Sequence, residues 1–306
     1  MPTLQQLRYL VAVAETGHFR RAAETCNVTQ PTLSVQIKEL ETKLGAILIE
    51  RTRARVVVTP LGEVIVGHAR RALQEVEDIR NLAQMHRGTL QSTIKVGVVQ
   101  SLGSYLLPLL IPELHKSHPK LKLYVREGLP VHLLEALGTG ALDILLFPLP
   151  IREADFETRS LFREPLMTVM PHDHAFATED ALAPDMLKGE TILALERGHR
   201  MFEQVQRICE QYGAELSHDY EGTSLDTLRQ MVGMGMGLSL LPALYVRSEV
   251  AHQDIVVARP FRGTPPSRTI GMAWRQRTAR ASEYEELAGE IQTILKARAP
   301  EVTVLG

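Results

Sequence analysis

Apolar residues recur at three- and four-residue steps from the start of the chain. Leu4, Leu7, Leu10, Val11 and Ala14 share one face of a helix predicted over residues 4–16, and Gly17 ends it. A short helix, Phe19–Thr25, follows with Ala22 and Ala23 turned inward. Thr29 suits an N-cap and Pro31 a first turn, so a third helix is expected over Pro31–Leu44, with Leu33, Ile37, Leu40, Glu41 and Leu44 in step. Gly45 stops it. The period then changes to that of two short strands around a basic turn, Arg51–Arg55. Three helices and a charged hairpin make a winged helix-turn-helix. Thr59-Pro60 opens a long helix to about His86, with Val64, Ala69, Ala72, Val76, Ile79, Leu82 and Ala83 on one side. Such a stripe near the surface of a small head is suited to a dimer seam.

Beyond a hinge marked by Arg87-Gly88 and Ser92, strands and helices alternate. Strands are expected at Thr93–Val99, Lys122–Gly128, Leu142–Leu149, Thr191–Leu195, Leu216–Glu221, Gly237–Leu241 and Thr269–Trp274, with an extended run at Leu161–Met170. Helices are expected at Ser104–His118, Val131–Gly138, Met201–Tyr212, Leu225–Met234 and Ser282–Arg298. Two βαβαβ units imply two α/β lobes with parallel sheet and a cleft at their junction. The expected division is a DNA-binding head at 1–58, a linker helix at 59–88, and a two-lobed body at 89–306. Lobe I would comprise about 89–162 and 268–306, and lobe II about 163–267.

Composition changes this picture little. The chain is 44% hydrophobic and 23% charged, ordinary for a globular protein. Its net charge of −2 is unevenly spread: residues 1–58 hold eight Arg or Lys against five Glu, so the remainder carries −5. A basic head on a mildly acidic body fits a nucleic-acid contact at one end. Cys26 and Cys209 alone cannot make a secreted disulfide scaffold, and no zinc spacing is present. The amphipathic N-terminus is unlike a signal peptide, and no apolar run is long enough to span a membrane, so a cytoplasmic protein with no membrane partner is expected. No cofactor is implied, and no nucleophile elbow, Walker loop or dinucleotide fingerprint is present, which argues against an enzyme.

The segment from Ala22-Ala23 through Val28-Thr29-Gln30-Pro31-Thr32-Leu33-Ser34 to Ile37, Leu40, Glu41, Leu44, Leu48 and Arg51 resembles the DNA-binding signature of the LysR family. A steep helix crossing needs small residues such as Ala22 and Ala23. A recognition helix needs short polar side chains, supplied by Gln30, Thr32, Ser34, Gln36 and Lys38. The resemblance places Gln30, Pro31, Thr32 and Ser34 at the DNA-contacting start of that helix. It places Arg51, Arg53 and Arg55 on the wing, with Arg20 and Lys38 as further phosphate contacts. It implies double-stranded promoter DNA as partner, RNA polymerase as a second, and a homo-oligomer built as a dimer of dimers.

The body resembles the periplasmic-binding-protein-like (type 2) effector domain of that family, nearest to the OxyR-type subgroup. The stretches carrying this include Ser104–Pro108, Phe162–Leu166, Gly198-His199, Thr223–Arg229, Leu240–Leu244 and Arg268–Gly271. One departure matters. OxyR-type sensors carry Gly-His-Cys, with a second cysteine nine residues later. This chain reads Gly198-His199-Arg200, with Cys209 nine residues on. A guanidinium cannot form a sulfenic acid. Gln100-Ser101 and Leu129-Pro130-Val131 also depart from the subgroup's threonine-bearing segments.

Two readings stand. One is an OxyR-like regulator retuned to a small anionic effector held by Arg200, Ser101, the Gly198-His199 backbone and Thr223, with Gln100, Gly128, Leu129 and Pro148 nearby. The drift around the pocket favours it. The other is a peroxide regulator of OxyR type whose reactive cysteine was substituted. An ion-pair or surface role for Arg200 weighs equally with ligand contact. For Cys209 a buried, inert thiol is preferred over a redox role, and for His199 a proton switch is no better supported than simple cleft polarity. The Met231–Gly237 run reads as core packing with a helix stop. In a different class, a solute-binding receptor fits the lobes but not the fused winged helix.

Overall fold

The structure, a computed structural model, describes residues 1–51, 56–85, 90–251 and 255–306. Arg53, Arg55 and the expected Arg87-Gly88 hinge lie outside the described residues, as does the side chain of Arg51. Two compact units are present: Met1–Arg87 with Gly138–Ala141, and Gly88–Leu137 with Leu142–Gly306.

In the first unit, α1 (Leu4–Thr16) starts at Thr3 with a reciprocal Thr3/Gln6 capping box and stops at left-handed Gly17. Its buried face differs from the expected one. Tyr9, Leu10 and Val13 are buried together with Gln6, whereas Leu4 is exposed and Leu7, Val11 and Ala14 are half-buried. The reason is polar: the Gln6 amide donates to Gln36 Oε1 (3.2 Å) and Glu39 Oε2 (3.3 Å) and accepts from Lys43 Nζ (3.2 Å). A buried amide so satisfied can face the neighbouring helix. Helix α2 (Phe19–Thr25) buries Ala22 and Ala23, and α3 (Gln30–Leu44) buries Leu33, Ile37 and Leu40 but not Leu44. Glu41 turns its Oε1 to the backbone N–H groups of Leu48 (2.9 Å) and Ile49 (3.1 Å), fastening α3 to the hairpin of β1 (Ile49–Arg51) and β2 (Val56–Val58).

Helix α4 (Pro60–Met85) approaches the head so closely that a Cβ at Gly62 would lie 2.3 Å from the Leu48 carbonyl oxygen. The expected single stripe splits in two. Val66 and Ala69 are buried, whereas Leu61, Val64 and Ile79 stay exposed on an outward line. The side chains of Leu82 and Ala83 lie outside the described residues.

The second unit begins with β3 (Thr93–Val99), α5 (Gly103–Ser117), β4 (Lys122–Gly128), α6 (Pro130–Gly138) and β5 (Ile144–Pro148). Strand β3 pairs in parallel with both β4 and β5. Strand β6 (Phe156–Pro171) follows, then β7 (Thr191–Leu195), α7 (Arg200–Tyr212), β8 (Glu215–Gly222), α8 (Leu225–Gly233), β9 (Leu238–Pro242) and the short α9 (Ala243–Tyr245). The chain closes with β10 (Val256–Arg259), β11 (Ser267–Arg275), α10 (Ala281–Arg298) and β12 (Thr303–Val304).

Strand order is β4-β3-β5-β11-β6-β9-β7-β8. The expected extended run is one long strand shared by both lobes. Its first part, Phe156–Pro165, pairs with β11, and its second, Leu166–Pro171, with β9 and β10. Each lobe has its own apolar core, one around Phe147, Phe162 and Trp274 and the other around Leu193, Val205 and Tyr245. Ser92, expected at a hinge, is instead tied down: Arg280 Nη2 donates to its hydroxyl at 2.6 Å, and Arg280 Nε to Glu283 at 2.7 Å. No helix among the described residues is long and apolar enough to cross a membrane.

Candidate functional site

The first turn of α3 presents capped, mostly exposed polar residues. Thr29 caps it, its Oγ accepting from the Thr32 N–H at 3.4 Å and sharing a 2.8 Å hydrogen bond with the Thr32 hydroxyl. Gln30, Pro31, Thr32 and Lys38 are exposed, and Ser34 is half-buried. Gln36 is drawn away from this face: it donates to Glu39 (3.2 Å) and accepts from Gln6. Val35, passed over when only polar side chains were sought, is 56% exposed. Its step from Pro31 and to Lys38 places it on the same face, and a branched apolar group suits a thymine methyl. Arg20 is exposed and pairs with Glu24 at 3.2 Å.

In the two-lobed unit, Ser101 is engaged by the fold itself. It is buried, and Arg268 takes both its acceptors, Nη1 donating to the hydroxyl (2.8 Å) and Nη2 to the carbonyl (2.9 Å). Arg268 Nε donates to Glu164 Oε2 at 2.8 Å, and Glu164 Oε1 accepts from the Leu244 N–H at 2.9 Å. Ser101 is thus part of a buried network that the sequence did not announce.

Arg200 opens α7, about 30% exposed. Its Nη2 donates to the Pro150 carbonyl at 3.3 Å, and its Nη1 lies 3.7 Å from Glu203. Beside it is a hollow of about 250 Å³ whose walls include Pro148, Leu149, Arg200, Gln204, Arg207 and Arg268. Of the expected effector residues, only Pro148 and Arg200 line it. Gln100, Gly128, Leu129, Gly198, His199 and Thr223 do not. Gln204 and Arg207 went unnoticed in the sequence, although four- and seven-residue steps from Arg200 put them on its helix face.

Gly198 adopts φ +100°, which a residue with a side chain rarely does. His199 is buried, its Nε2 without a hydrogen-bond partner among the described residues and 3.8 Å from Glu196 Oε1. Burial lowers its pKa below the usual imidazole value, against the opposing pull of Glu196. Cys209 lies in the lobe II core, and burial pushes its thiol up to about 11. A second cluster joins the lobes. Tyr105, which packs on both cores, donates to Asp226 Oδ2 at 3.5 Å. Tyr245 donates to Asp226 Oδ1 at 3.1 Å and accepts from Arg229 Nε at 3.0 Å.

A model of the bacterial regulatory helix-turn-helix protein, lysR family, matches residues 4–63, and one of the LysR substrate binding domain matches residues 87–295. The DNA-binding transcriptional dual regulator OxyR of Escherichia coli strain K12 is 40% identical over 94% of each chain. The HTH-type transcriptional regulator EstR of Acinetobacter baylyi is 31% identical over 96% of this chain and 97% of its own. A full-length OxyR substitution variant from Pseudomonas aeruginosa has a TM-score of 0.81 at 38% identity, covering 98% of both chains.

Proposed function

The chain belongs to the LysR family of DNA-binding transcriptional regulators and is OxyR-like along its length, and from that premise we propose that its two-lobed unit responds to a small anionic effector instead of to peroxide. One observation carries this reading: Arg200 stands where the OxyR-type motif has its reactive cysteine, and its guanidinium faces a hollow with an apolar wall. Carboxylates pair with guanidinium in bidentate geometry. The other thiol, Cys209, stays protonated near neutral pH and is poorly nucleophilic.

On the DNA side, Gln30, Thr32 and Ser34 would meet base edges, and Arg20, Lys38 and the wing arginines Arg51, Arg53 and Arg55 phosphates. The functional division is a head at 1–58, a linker at 59–88 and an effector domain at 89–306. The exposed line Leu61, Val64 and Ile79 on α4 would be covered by a second copy, giving dimers that assemble as dimers of dimers on promoter DNA. Effector binding would bias one arrangement of the oligomer over another, and so its contacts with DNA and RNA polymerase. The protein would act in the cytoplasm without catalysis of its own.

The second reading, a peroxide regulator with a substituted cysteine, is favoured by the full-length likeness to OxyR and to the hydrogen peroxide-inducible genes activators. Calorimetry with a panel of organic acids, beside footprinting of promoter DNA with and without peroxide, separates the two. Anion binding lost in Arg200→Ala, with a footprint indifferent to peroxide, is expected. A footprint shifted by peroxide alone would overturn the anionic reading.

A further inference from the structure

Three hollows meet on the outward face of α7. The one beside Arg200 adjoins a second of about 420 Å³ against Thr264–Ser267 and a third of about 370 Å³ reaching Arg152. Arg207 lines all three. Its Nε donates to the Glu203 carbonyl at 3.1 Å, and among the described residues no carboxylate pairs with it. An exposed guanidinium lies where the hollows join, and among the described residues no hydrogen bond engages its terminal nitrogens.

Arg200 and Arg207 are seven residues apart, two helical turns or about 10 Å along the axis. Between them the wall is formed by Met201 and Leu149, with Gln204 anchored by its Nε2 to the Ser267 carbonyl at 2.8 Å. Two cations flank a middle that is apolar on the Leu149 side and polar at Glu203 and Gln204. Two carboxylates also border the region. Glu203 is 62% exposed and 3.7 Å from Arg200, a loose surface pair that a bidentate carboxylate displaces. Glu210 is occupied by the Gln206 amide at 3.0 Å.

We propose that this groove takes an elongated dianion, one carboxylate on Arg200, the other on Arg207, with an apolar spacer over Met201 and Leu149. The inference rests on the anionic-effector reading above and adds the shape and charge of the ligand. A single acid group on a compact body would leave Arg207 unused.

The test is calorimetry on the full chain with straight-chain dicarboxylates from malonate to sebacate and with monocarboxylates of equal length. Expected is an optimum at intermediate or long spacers, about tenfold tighter than the matching monocarboxylate, the equivalent of one charge-assisted hydrogen bond. Arg207→Gln should abolish the optimum while leaving monocarboxylate binding in place. Arg207→Glu should move the preference to ω-amino carboxylates. Equal binding of mono- and dicarboxylates, or an optimum that survives Arg207→Gln, would overturn this inference and leave the anionic-effector reading standing. Binding of neither series to the folded protein would overturn both.

Discussion

Arg268 on β11 and Glu164 on β6 meet at 2.8 Å with side chains 4% and 0% exposed. The pair is fully engaged, since Arg268 also holds Ser101 and Glu164 also receives the Leu244 N–H. Leu244 belongs to one lobe's core and the adjacent Tyr245 to the other's. The ion pair therefore sits where the chain passes between lobes. Removing one partner strands a buried charge. Arg268→Met or Glu164→Leu alone should cost about 3–5 kcal/mol, and the double variant should recover much of that. Urea unfolding of the three variants decides it; additive losses would contradict the pairing.

Lys38 is exposed on the α3 face proposed to meet DNA. If it neutralises a phosphate, Lys38→Ala should weaken binding to all DNA sequences alike. The slope of log affinity against log salt should fall by about one. Gln30→Ala should leave the slope unchanged and relax sequence preference. Filter binding across a salt series, on operator and scrambled duplexes, distinguishes the two effects.

The head was readable because its punctuation is local. Thr29, Gly17 and Gly45 act within a few residues of where they stand. What escaped the sequence was set by distant partners. Ser101 is held by Arg268, 167 residues away, a partner that no local pattern announces. Gln6 drew no notice in the sequence because Gln36, Glu39 and Lys43 come to it only when α3 folds back. Strand β6 was read as one long extended run, yet its role in both lobes emerges only from β9, β10 and β11. The four-residue β10 is too short to announce itself. Arg207 was legible by helical spacing but meaningless without the hollows it borders.

Cys209 should behave as a core residue. With its thiol raised to about 11, little thiolate exists near neutral pH. Mass spectrometry after dilute peroxide should find it unmodified in the native protein and oxidised once urea exposes it. Rapid native oxidation would restore a redox role.

His199 gives stability a pH dependence with a defined sign. Burial depresses its folded pKa below 6.5, so the unfolded chain takes up the proton first. Its contribution is fully present above about pH 6.5, is lost as pH falls towards the folded value, and is level below that. His199→Gln should flatten this part of the profile. Glu196→Gln should widen the window, because the carboxylate that props the pKa up is gone. Denaturant midpoints from about pH 5 to 8 provide the measurement. A profile unchanged in His199→Gln would show that another group titrates there.

Tyr105 and Asp226 join elements of different lobes, α5 and α8, through a 3.5 Å hydrogen bond. The Tyr105 ring also meets Tyr245 edge-on, with centroids 4.9 Å apart. Tyr245 is buried and held by both Asp226 and Arg229, so Asp226 serves a fixed tyrosine and a bridging one. Tyr105→Phe keeps the ring contact and removes only the hydroxyl. Each lobe should remain folded, with a loss near 1 kcal/mol confined to the contact between them. That corresponds to roughly a fivefold shift towards open lobes. Hydrogen exchange should quicken at the starts of α5 and α8 and stay unchanged in the strands. Faster exchange throughout one lobe would mean that the hydroxyl supports folding of that lobe, and the bridge between lobes would have to be sought elsewhere.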